Sequence, residues 1–369
     1  MSTTQELGTL LAERGVSRRT FLKFCTALAS VMALPPGMAQ QMADNLAKAK
    51  RPSVIWMSCQ ECTGCTESLV RSASPSIESL ILDLVSLDYH EALMAPSGHA
   101  AEQSRIDAME RHKGEYLLLV DGSITAKDGG VYSTVAGITN LQSFKEMAKD
   151  AAAVIAIGTC ATFGGIPMAK PNPTGAVSVQ DVMKDDPELA DKPLINISGC
   201  PPIPVVMSGV LAHYVTFGSI PALDSKNRPQ AFFGETIHDR CYRRPFYEAG
   251  KFARSFDDDG ARKGWCLFEL GCKAPVAYNA CATVKWNQGT SFPIQSGHGC
   301  FACSEPNFWD QGGLYKALSQ PIPAANAESL AAAAAVGVGI GAGAAAINRA
   351  RQASLVKDYG QSHEGGTVK

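Results

Sequence analysis

Twelve cysteines spread along a chain of 369 residues constrain this sequence more than any other feature. Secreted proteins that depend on disulfides are much shorter, and twelve thiols are too many to be accidental members of a hydrophobic core. The formal net charge of −2, from 33 basic and 35 acidic residues, argues against a nucleic-acid binder held by phosphate charge. With 46 % hydrophobic residues, the chain is long enough for two domains with separate cores. The cysteines are therefore expected to bind something.

The first 49 residues predict an export signal and a linker. Arg18 and Arg19 precede an apolar run, 24–34, which two prolines close. This arrangement is typical of a twin-arginine signal, and the run is shorter than the roughly 20 residues that span a bilayer. Small residues at 37–39 and at 47–49 offer two cleavage sites. An ordinary amphipathic helix is the alternative. An export signal of this type implies a cargo that folds, often around a cofactor, before it crosses the membrane.

Short apolar runs alternate with amphipathic stretches between residues 50 and 225. The runs are 53–57, 80–86, 116–120, 154–157 and 194–197. This pattern predicts βαβ units and a parallel sheet covered by helices.

Three of these runs lead directly into loops with cysteines. The first precedes Cys62 and Cys65, the fourth precedes Cys160, and the fifth precedes Cys200. Open α/β sheets bind their ligands beyond the carboxyl ends of the strands, so these loops are expected to converge.

From about residue 226 to 320 the periodicity is lost, glycine and proline are frequent, and metal-binding residue types recur every few positions. Such a segment has too little apolar face for an ordinary core, and bound inorganic clusters are the more plausible organising element. Its candidate ligands are His238, Cys241, Cys266, Cys272, Cys281, Cys300 and Cys303.

A single Cys-x-x-Cys pair could be a redox dithiol, half a zinc site or half an iron–sulfur site. Setting aside Cys25 in the signal, and Cys59, leaves ten cysteines and one histidine. Eleven ligands do not divide into four-coordinate zinc sites. They divide as four, four and three, which suits two cubane clusters and one cluster that lacks an iron.

In combination, the motifs resemble those of the small, electron-transferring subunit of nickel–iron hydrogenases. They are ECTGCTES at 61–68, GTC at 158–160, GCPP at 199–202, HDRC at 238–241, GCK at 271–273 and GHGCFACSE at 297–305. The resemblance extends from the export signal to the C-terminal tail. It implies a flavodoxin-like α/β domain over 50–225 and an irregular iron–sulfur domain over 226–320.

The resemblance also implies three sets of cluster ligands. A proximal 4Fe-4S cluster would be held by Cys62, Cys65, Cys160 and Cys200. A distal 4Fe-4S cluster would be held by His238, Cys241, Cys266 and Cys272, and a medial 3Fe-4S cluster by Cys281, Cys300 and Cys303. Pro293 stands where the family has a proline in place of a possible fourth medial ligand. No catalytic residue and no other metal is expected, because the clusters use every strong ligand set.

Two glycines bear on the type of hydrogenase. The oxygen-tolerant branch of the family has extra cysteines at the positions of Gly64 and Gly165. The standard, oxygen-sensitive type with an ordinary proximal cubane is therefore expected.

The run 330–347 is apolar and uncharged, and basic residues follow it. It predicts a transmembrane helix over 328–348 and a cytoplasmic tail over 349–369, with a low-complexity linker as the alternative. The body of the protein would then lie on the periplasmic side of the cytoplasmic membrane.

The resemblance implies an obligate nickel–iron large subunit, which holds the H2-splitting site, and a cytochrome b-type membrane subunit or another quinone-linked acceptor. The chain would serve an H2:acceptor oxidoreductase by relaying electrons from H2 oxidation. Two alternatives are the iron–sulfur subunit of a quinone-reducing complex, which needs neither the export signal nor the C-terminal cluster domain, and a secreted disulfide protein.

Residues outside the ligand sets receive plainer interpretations. Cys59 is expected to be an inert buried thiol, and His298 a packing or supporting residue. Asp121 is expected to be a hydrogen-bonded loop carboxylate, although it matches a position near the proximal cluster. Arg240, Arg243 and Arg244 are most simply a solvated face, with docking of an electron acceptor as the alternative.

Overall fold

The computed structural model describes residues 18–31, 35, 37–48, 51–72, 76–77, 84–310 and 315–318. These residues form two compact units. The first comprises the chain up to Ile237 together with 277–292 and 302–312. The second comprises 238–276 and 293–301, together with the chain from Gly313 onward.

In the described part of the chain the strands are β1 (Ser53–Ser58), β2 (Ser86–His90), β3 (Leu117–Asp121), β4 (Ile124–Thr125), β5 (Thr134–Val135), β6 (Ile138–Thr139), β7 (Ala153–Ile157), β8 (Ala176–Val177) and β9 (Leu194–Ile197). The helices there are α1 (Arg18–Val31), α2 (Met38–Lys48), α3 (Gly64–Val70), α4 (His99–Arg111), α5 (Asn140–Lys149), α6 (Gly158–Phe163), α7 (Gly165–Met168), α8 (Val179–Asp185), α9 (Pro204–Phe217), α10 (Gln230–Phe233), α11 (Arg244–Glu248) and α12 (Asp259–Arg262). Single 3-10 turns lie at Lys127–Gly130, Phe268–Leu270, Ala274–Val276, Ala280–Ala282 and Phe308–Asp310.

A five-stranded sheet forms the centre of the first unit. Its strands run in the order β2-β1-β3-β7-β9, and every neighbouring pair is parallel. Numbered within this sheet the order is 2-1-3-4-5, which is the doubly wound order also found in flavodoxin. The predicted parallel-sheet α/β domain is therefore confirmed.

Four of the five predicted strands are confirmed to within one residue at each end. The inner strands β1, β3 and β7 are buried along almost their whole length, so their sequences are continuous apolar runs. The prediction of a strand over 80–86 is wrong, because the strand begins at Ser86; residues 80–83 lie outside the described part. β2 is an edge strand with three half-buried positions, and its sequence mixes polar and apolar residues.

Helices of the first unit begin where polar side chains satisfy free backbone N–H groups. The hydroxyl of Thr139 accepts the N–H of Gln142 at 3.3 Å at the start of α5. Ser178 and Asp181 form a reciprocal capping box at the start of α8. Apolar residues of α5 and α8, among them Phe144, join the strand residues in one buried core.

Helix α9 is buried on all sides over its first half. Seven consecutive residues, 206–212, are buried, whereas a helix on a protein surface buries only one stripe. The helix packs against α3 and against α2, and α2 in turn packs on α1. Met42 and Leu46 of α2 have no exposed surface.

The second unit has little regular structure in its described residues. Its helices α11 and α12 span five and four residues. Tyr247 and Phe268 pack edge to face at 5.3 Å between ring centroids, and Phe252 joins the same group. Aromatic packing and turns, rather than long elements, hold this unit together.

Among the residues that the structure describes, no helix is both long and apolar enough to cross a bilayer. The predicted anchor at 328–348 and the predicted tail at 349–369 lie outside those residues.

His90 closes strand β2 as a buried, neutral imidazole. Its ring stacks on Trp56 at 4.9 Å between centroids, and its side chain lies 3.2 Å from the Thr66 hydroxyl. Nδ1 accepts the N–H of Ala92, so the neutral ring carries its proton on Nε2. Burial lowers the pKa of His90 to about 4.

We expect His90 to make the folded protein less stable at mildly acidic pH. The unfolded chain binds a proton near the ordinary histidine pKa of about 6.5, above the folded value, so stability falls as pH falls from there toward 4. The full effect is up to about 3 kcal/mol. His90→Gln should reduce the loss of thermal midpoint between about pH 7 and about pH 5. The exposed His99 supplies the control His99→Gln; equal acid sensitivity in both variants would contradict the assignment.

Candidate cluster-binding sites

Four cysteines converge at the carboxyl edge of the central sheet. Cys65 lies in the first turn of α3, Cys160 lies in α6 immediately after β7, and Cys200 lies three residues after β9. The thiol of Cys65 lies close enough to those of Cys160 and Cys200 for their ionisation to raise its pKa. Ionisation of Cys160 and Cys62 raises the pKa of Cys200 in the same way. The structure thus brings together all four residues of the predicted proximal set.

Glycines leave room around these sulfur atoms. A Cβ on Gly158 would collide with the sulfur of Cys65. A Cβ on Gly165 would lie 2.8 Å from the Cys160 sulfur, and its φ of +52° is rarely adopted by other residues. Gly64 is less restricted, because a Cβ there would meet only the Cys62 side chain, at 3.1 Å.

The proximal thiols suit a polynuclear cluster. Burial is the main cause that raises the pKa of Cys160 to about 11 and the pKa of Cys200 to about 12, so these thiols release their protons when a metal binds. Within the described residues, no three His, Cys, Asp or Glu side chains lie close enough to hold a single metal ion. Iron–sulfur clusters carry their own sulfide between the irons and are held by four thiolates, and this donor set fits them.

Asp121 ends strand β3 beside the proximal thiols and is 1 % exposed. Its carboxyl group lies beside the thiol of Cys65, and its Oδ2 is buried without a hydrogen-bond partner. Burial, and next the charge of Glu61, raise the pKa of Asp121 to about 7. The carboxyl group therefore lies in the proximal site, at the end of a strand and not in a loop.

Cys59 lies just before this site but outside its thiol group. Burial, followed by the charges of Asp121 and Glu91, raises the pKa of its thiol. A thiol with a raised pKa is a poor nucleophile, as expected of an inert cysteine.

The predicted distal set lies in the second unit. Burial raises the pKa of Cys241 to about 11 and that of Cys266 to about 12. The thiols of Cys241, Cys266 and Cys272 are also near enough to one another for ionisation of one to raise the pKa of its neighbours. His238 precedes them on a turn in which the N–H of Cys241 donates to its carbonyl at 3.2 Å. Burial, and next the charge of Arg244, lower the pKa of His238 and keep it in the neutral form that binds metals.

Two buried cations lie beside the thiols of the second unit. The expected solvated face at 240–244 is wrong for Arg243, which is 6 % exposed and donates to the Tyr242 hydroxyl and the Trp265 carbonyl. Burial raises the pKa of Cys241, Cys266 and Cys272, and the charge of Arg243 offsets part of that rise. Lys273, 2 % exposed, is similarly coupled to Cys272 and Cys300. Both cations stand one or two residues after a cysteine, which is the only sequence signal that could have found them.

Arg244 behaves as expected of a surface residue, since it pairs with Asp239 and Glu248. His298 packs edge to face on Phe301 at 4.6 Å, and its Nδ1 lies 2.9 Å from the Gly299 carbonyl. These contacts are those of a packing histidine.

The predicted medial ligands are divided between the two units. Cys281 and Cys303 lie in the first unit. Burial, and next the neighbouring Cys303 thiol, raise the pKa of Cys281. Cys300 lies in the second unit, where its N–H donates to the Cys272 sulfur at 3.3 Å.

A buried ion-pair network holds Cys281 and Cys303 in the first unit. Glu305, two residues after Cys303, binds Arg228 at 2.8 Å and Lys226 at 2.6 Å. It also accepts the N–H of Tyr278, three residues before Cys281, at 2.8 Å. One carboxylate therefore ties together the two segments that carry these cysteines.

Two family models match separate parts of the chain. The model of the NADH ubiquinone oxidoreductase 20 Kd subunit matches residues 62–214. The model of the C-terminal region of the NiFe/NiFeSe hydrogenase small subunit matches residues 233–316. The second match covers the region that a quinone-reducing complex would not need.

Curated relatives extend over most of the chain. The uptake hydrogenase small subunit of Azotobacter vinelandii is 45 % identical over 319 residues, which cover 86 % of this chain and 87 % of that protein. The hydrogenase-2 small chain of Escherichia coli (strain K12) is 45 % identical over 322 residues, which cover 87 % and 83 %. The chain belongs to the family of nickel–iron hydrogenase small subunits. It is therefore the electron-transfer subunit of a hydrogenase, it pairs with a large subunit, and its family carries iron–sulfur clusters.

A solved structure shows the same small-subunit fold. The reduced, active form of the Ni-Fe-Se hydrogenase from Desulfomicrobium baculatum matches with a TM-score of 0.69 and 35 % identity, covering 73 % of this small subunit and 100 % of that chain.

The glycines around the proximal thiols differ in how they tolerate a side chain. We expect Gly165→Ala to destabilise the small subunit by about 1–3 kcal/mol, since it combines a positive φ with close contacts to the Cys160 backbone. The matched Gly64→Ala should cost less, because only the flexible Cys62 side chain must move. Thermal midpoint and iron content of the purified assembly of small and large subunits measure the difference. Equal losses in the two variants would contradict this account.

Proposed function

We propose that this small subunit relays electrons from H2 oxidation in the large subunit to a membrane quinone pathway. The relay consists of a proximal 4Fe-4S cluster, a medial 3Fe-4S cluster and a distal 4Fe-4S cluster, with a cytochrome b-type membrane subunit as the acceptor. The observation that carries the proposal is the convergence of four thiols after strands of one sheet, together with a separate group of three buried thiols that follows a neutral histidine.

When bound, the clusters would supply centres that accept and release one electron at a time. The proximal cluster would be held by Cys62, Cys65, Cys160 and Cys200. The distal cluster would be held by His238, Cys241, Cys266 and Cys272, and the medial cluster by Cys281, Cys300 and Cys303. Gly64 and Gly165 provide no additional thiol, which supports the standard, oxygen-sensitive type.

The charges around the two four-residue sets support flow toward the distal end. The proximal set has the carboxyl of Asp121 beside its thiols. The distal set has one neutral imidazole in place of a thiolate and the buried guanidinium of Arg243. Fewer negative charges and nearby cations raise the potential of an iron–sulfur centre. The distal centre is thus the better electron acceptor, as uptake of H2 requires.

We further propose that the chain is exported by the twin-arginine route and works on the periplasmic side of the cytoplasmic membrane. Arg18 and Arg19 precede the apolar run, and Arg19 is exposed at the start of α1. The apolar segment at 328–348 would anchor the subunit, with 349–369 in the cytoplasm.

Purification from membranes tests the relay. We expect the chain to copurify with a larger, nickel-containing subunit and to contain iron with broad visible absorption. His238→Ala should remove or alter the distal spectroscopic signal while the proximal signal persists. The control His298→Ala removes a packing histidine of the same unit and should leave all cluster signals in place. Absence of iron, or unaltered spectra in His238→Ala, would refute the assignment.

Changing Arg18 and Arg19 to lysine tests the export route. The twin-arginine pathway reads both guanidinium groups as an address, so we expect the folded protein to accumulate in the cytoplasm. Cell fractionation followed by detection of the chain measures this. Undiminished periplasmic hydrogenase would count against the proposal, while the relay itself would stand.

A further inference from the structure

Thr159 lies in the first turn of α6, one residue before Cys160, and is 1 % exposed. Its backbone N–H donates to the Gly199 carbonyl at 2.8 Å, and its hydroxyl accepts the N–H of Gly199 at 2.9 Å. The same hydroxyl donates its proton to the carbonyl of Cys303. One side chain therefore joins three segments of the first unit, each of which carries a predicted cluster ligand.

The segments that Thr159 joins carry one proximal and one medial ligand. Gly199 immediately precedes Cys200, so the two hydrogen bonds of Thr159 to Gly199 hold the backbone next to that cysteine. The hydrogen bond from the Thr159 hydroxyl holds the carbonyl of Cys303 itself. The backbones that carry Cys200 and Cys303 are therefore connected through one hydroxyl group.

We propose that Thr159 is a positioning residue that fixes Cys200 against Cys303 and so sets the electronic contact between the proximal and medial centres. This inference rests on the cluster assignment made under the proposed function. In each transfer one electron leaves the proximal centre, which is oxidised, and enters the medial centre, which is reduced. No bond is made or broken and no proton moves.

The hydroxyl group is essential to this role because it acts as donor and acceptor at once. Valine has the shape of threonine but neither hydrogen-bonding function, whereas serine keeps both. Without the hydroxyl, the loop of Gly199 is held by one hydrogen bond fewer and the Cys303 carbonyl loses its donor. The backbone of Cys303 is then no longer tied to that of Gly199, and the negative end of its carbonyl dipole is left without a donor. An unpaired carbonyl beside an iron–sulfur centre makes the potential of that centre more negative.

The same helix offers a matched control. Thr162 is one turn further along α6, is also 1 % exposed, and its hydroxyl has no hydrogen-bond partner. Thr162→Val therefore makes the same chemical change in the same buried helix without touching the bridge to Cys303.

The test uses the complete assembly of small and large subunits with Thr159→Val, Thr159→Ser and Thr162→Val. Three quantities are measured. They are the iron content, the midpoint potential of the medial centre from a redox titration followed by electron paramagnetic resonance, and the magnetic interaction between the proximal and medial centres. We expect Thr159→Val to shift the medial potential to more negative values and to weaken the magnetic interaction at full iron content. Thr159→Ser and Thr162→Val should match the unaltered assembly. Thr159→Ala removes the hydroxyl without branching and provides the same comparison should the valine variant not assemble.

Unchanged potential and unchanged magnetic interaction in a fully loaded Thr159→Val assembly would overturn the inference. So would a shift of equal size in Thr162→Val, which would reveal a general effect of packing, or a shift in Thr159→Ser as large as in the valine variant. Failure of the proposed function is separable. It would appear in the unaltered assembly as the absence of iron, or as a medial signal that survives Cys303→Ala.

Discussion

The parallel arrangement of the central sheet is the constraint on which the proximal site depends. All five strands point the same way, so the loops that follow β1, β7 and β9 emerge at one edge. Cysteines separated by more than a hundred residues in sequence therefore meet without a long element dedicated to holding them. The same edge also carries the glycines beside the sulfur atoms, the carboxyl group of Asp121 and the hydroxyl group of Thr159.

The second unit achieves a similar concentration of thiols by different means. Short turns, face-to-edge aromatic packing and the buried cations Arg243 and Lys273 take the place of a sheet. A buried cation beside several thiols offsets the negative charge that they acquire on binding metal, which a low-dielectric interior otherwise penalises. In the first unit, the Glu305 network serves a related end by pairing its own carboxylate with Arg228 and Lys226.

Sequence patterns revealed the inner strands because burial on both faces leaves a continuous apolar run. They placed β2 too early because an edge strand such as Ser86–His90 lacks that signature. The candidate ligands could be selected from their residue types and spacing. The structure groups seven of these cysteines into one set of four and one set of three. Arg243 could not be separated from a surface arginine, because its burial accompanies hydrogen bonds to the Tyr242 hydroxyl and to the backbone carbonyl of Trp265, which lies far along the chain. The bridge of Thr159 to Cys303 joins residues 144 positions apart, and no local pattern encodes it.

Helix α9 has no exposed face over residues 206–212, and part of its cover comes from α2, which precedes the first strand. The described N-terminal helices therefore contribute packing to the folded body. Proteolysis between α2 and β1 would expose an apolar strip of α9 and free Met42 and Leu46 at the same time. A surface that replaced α2 would have to be apolar to keep that strip out of water.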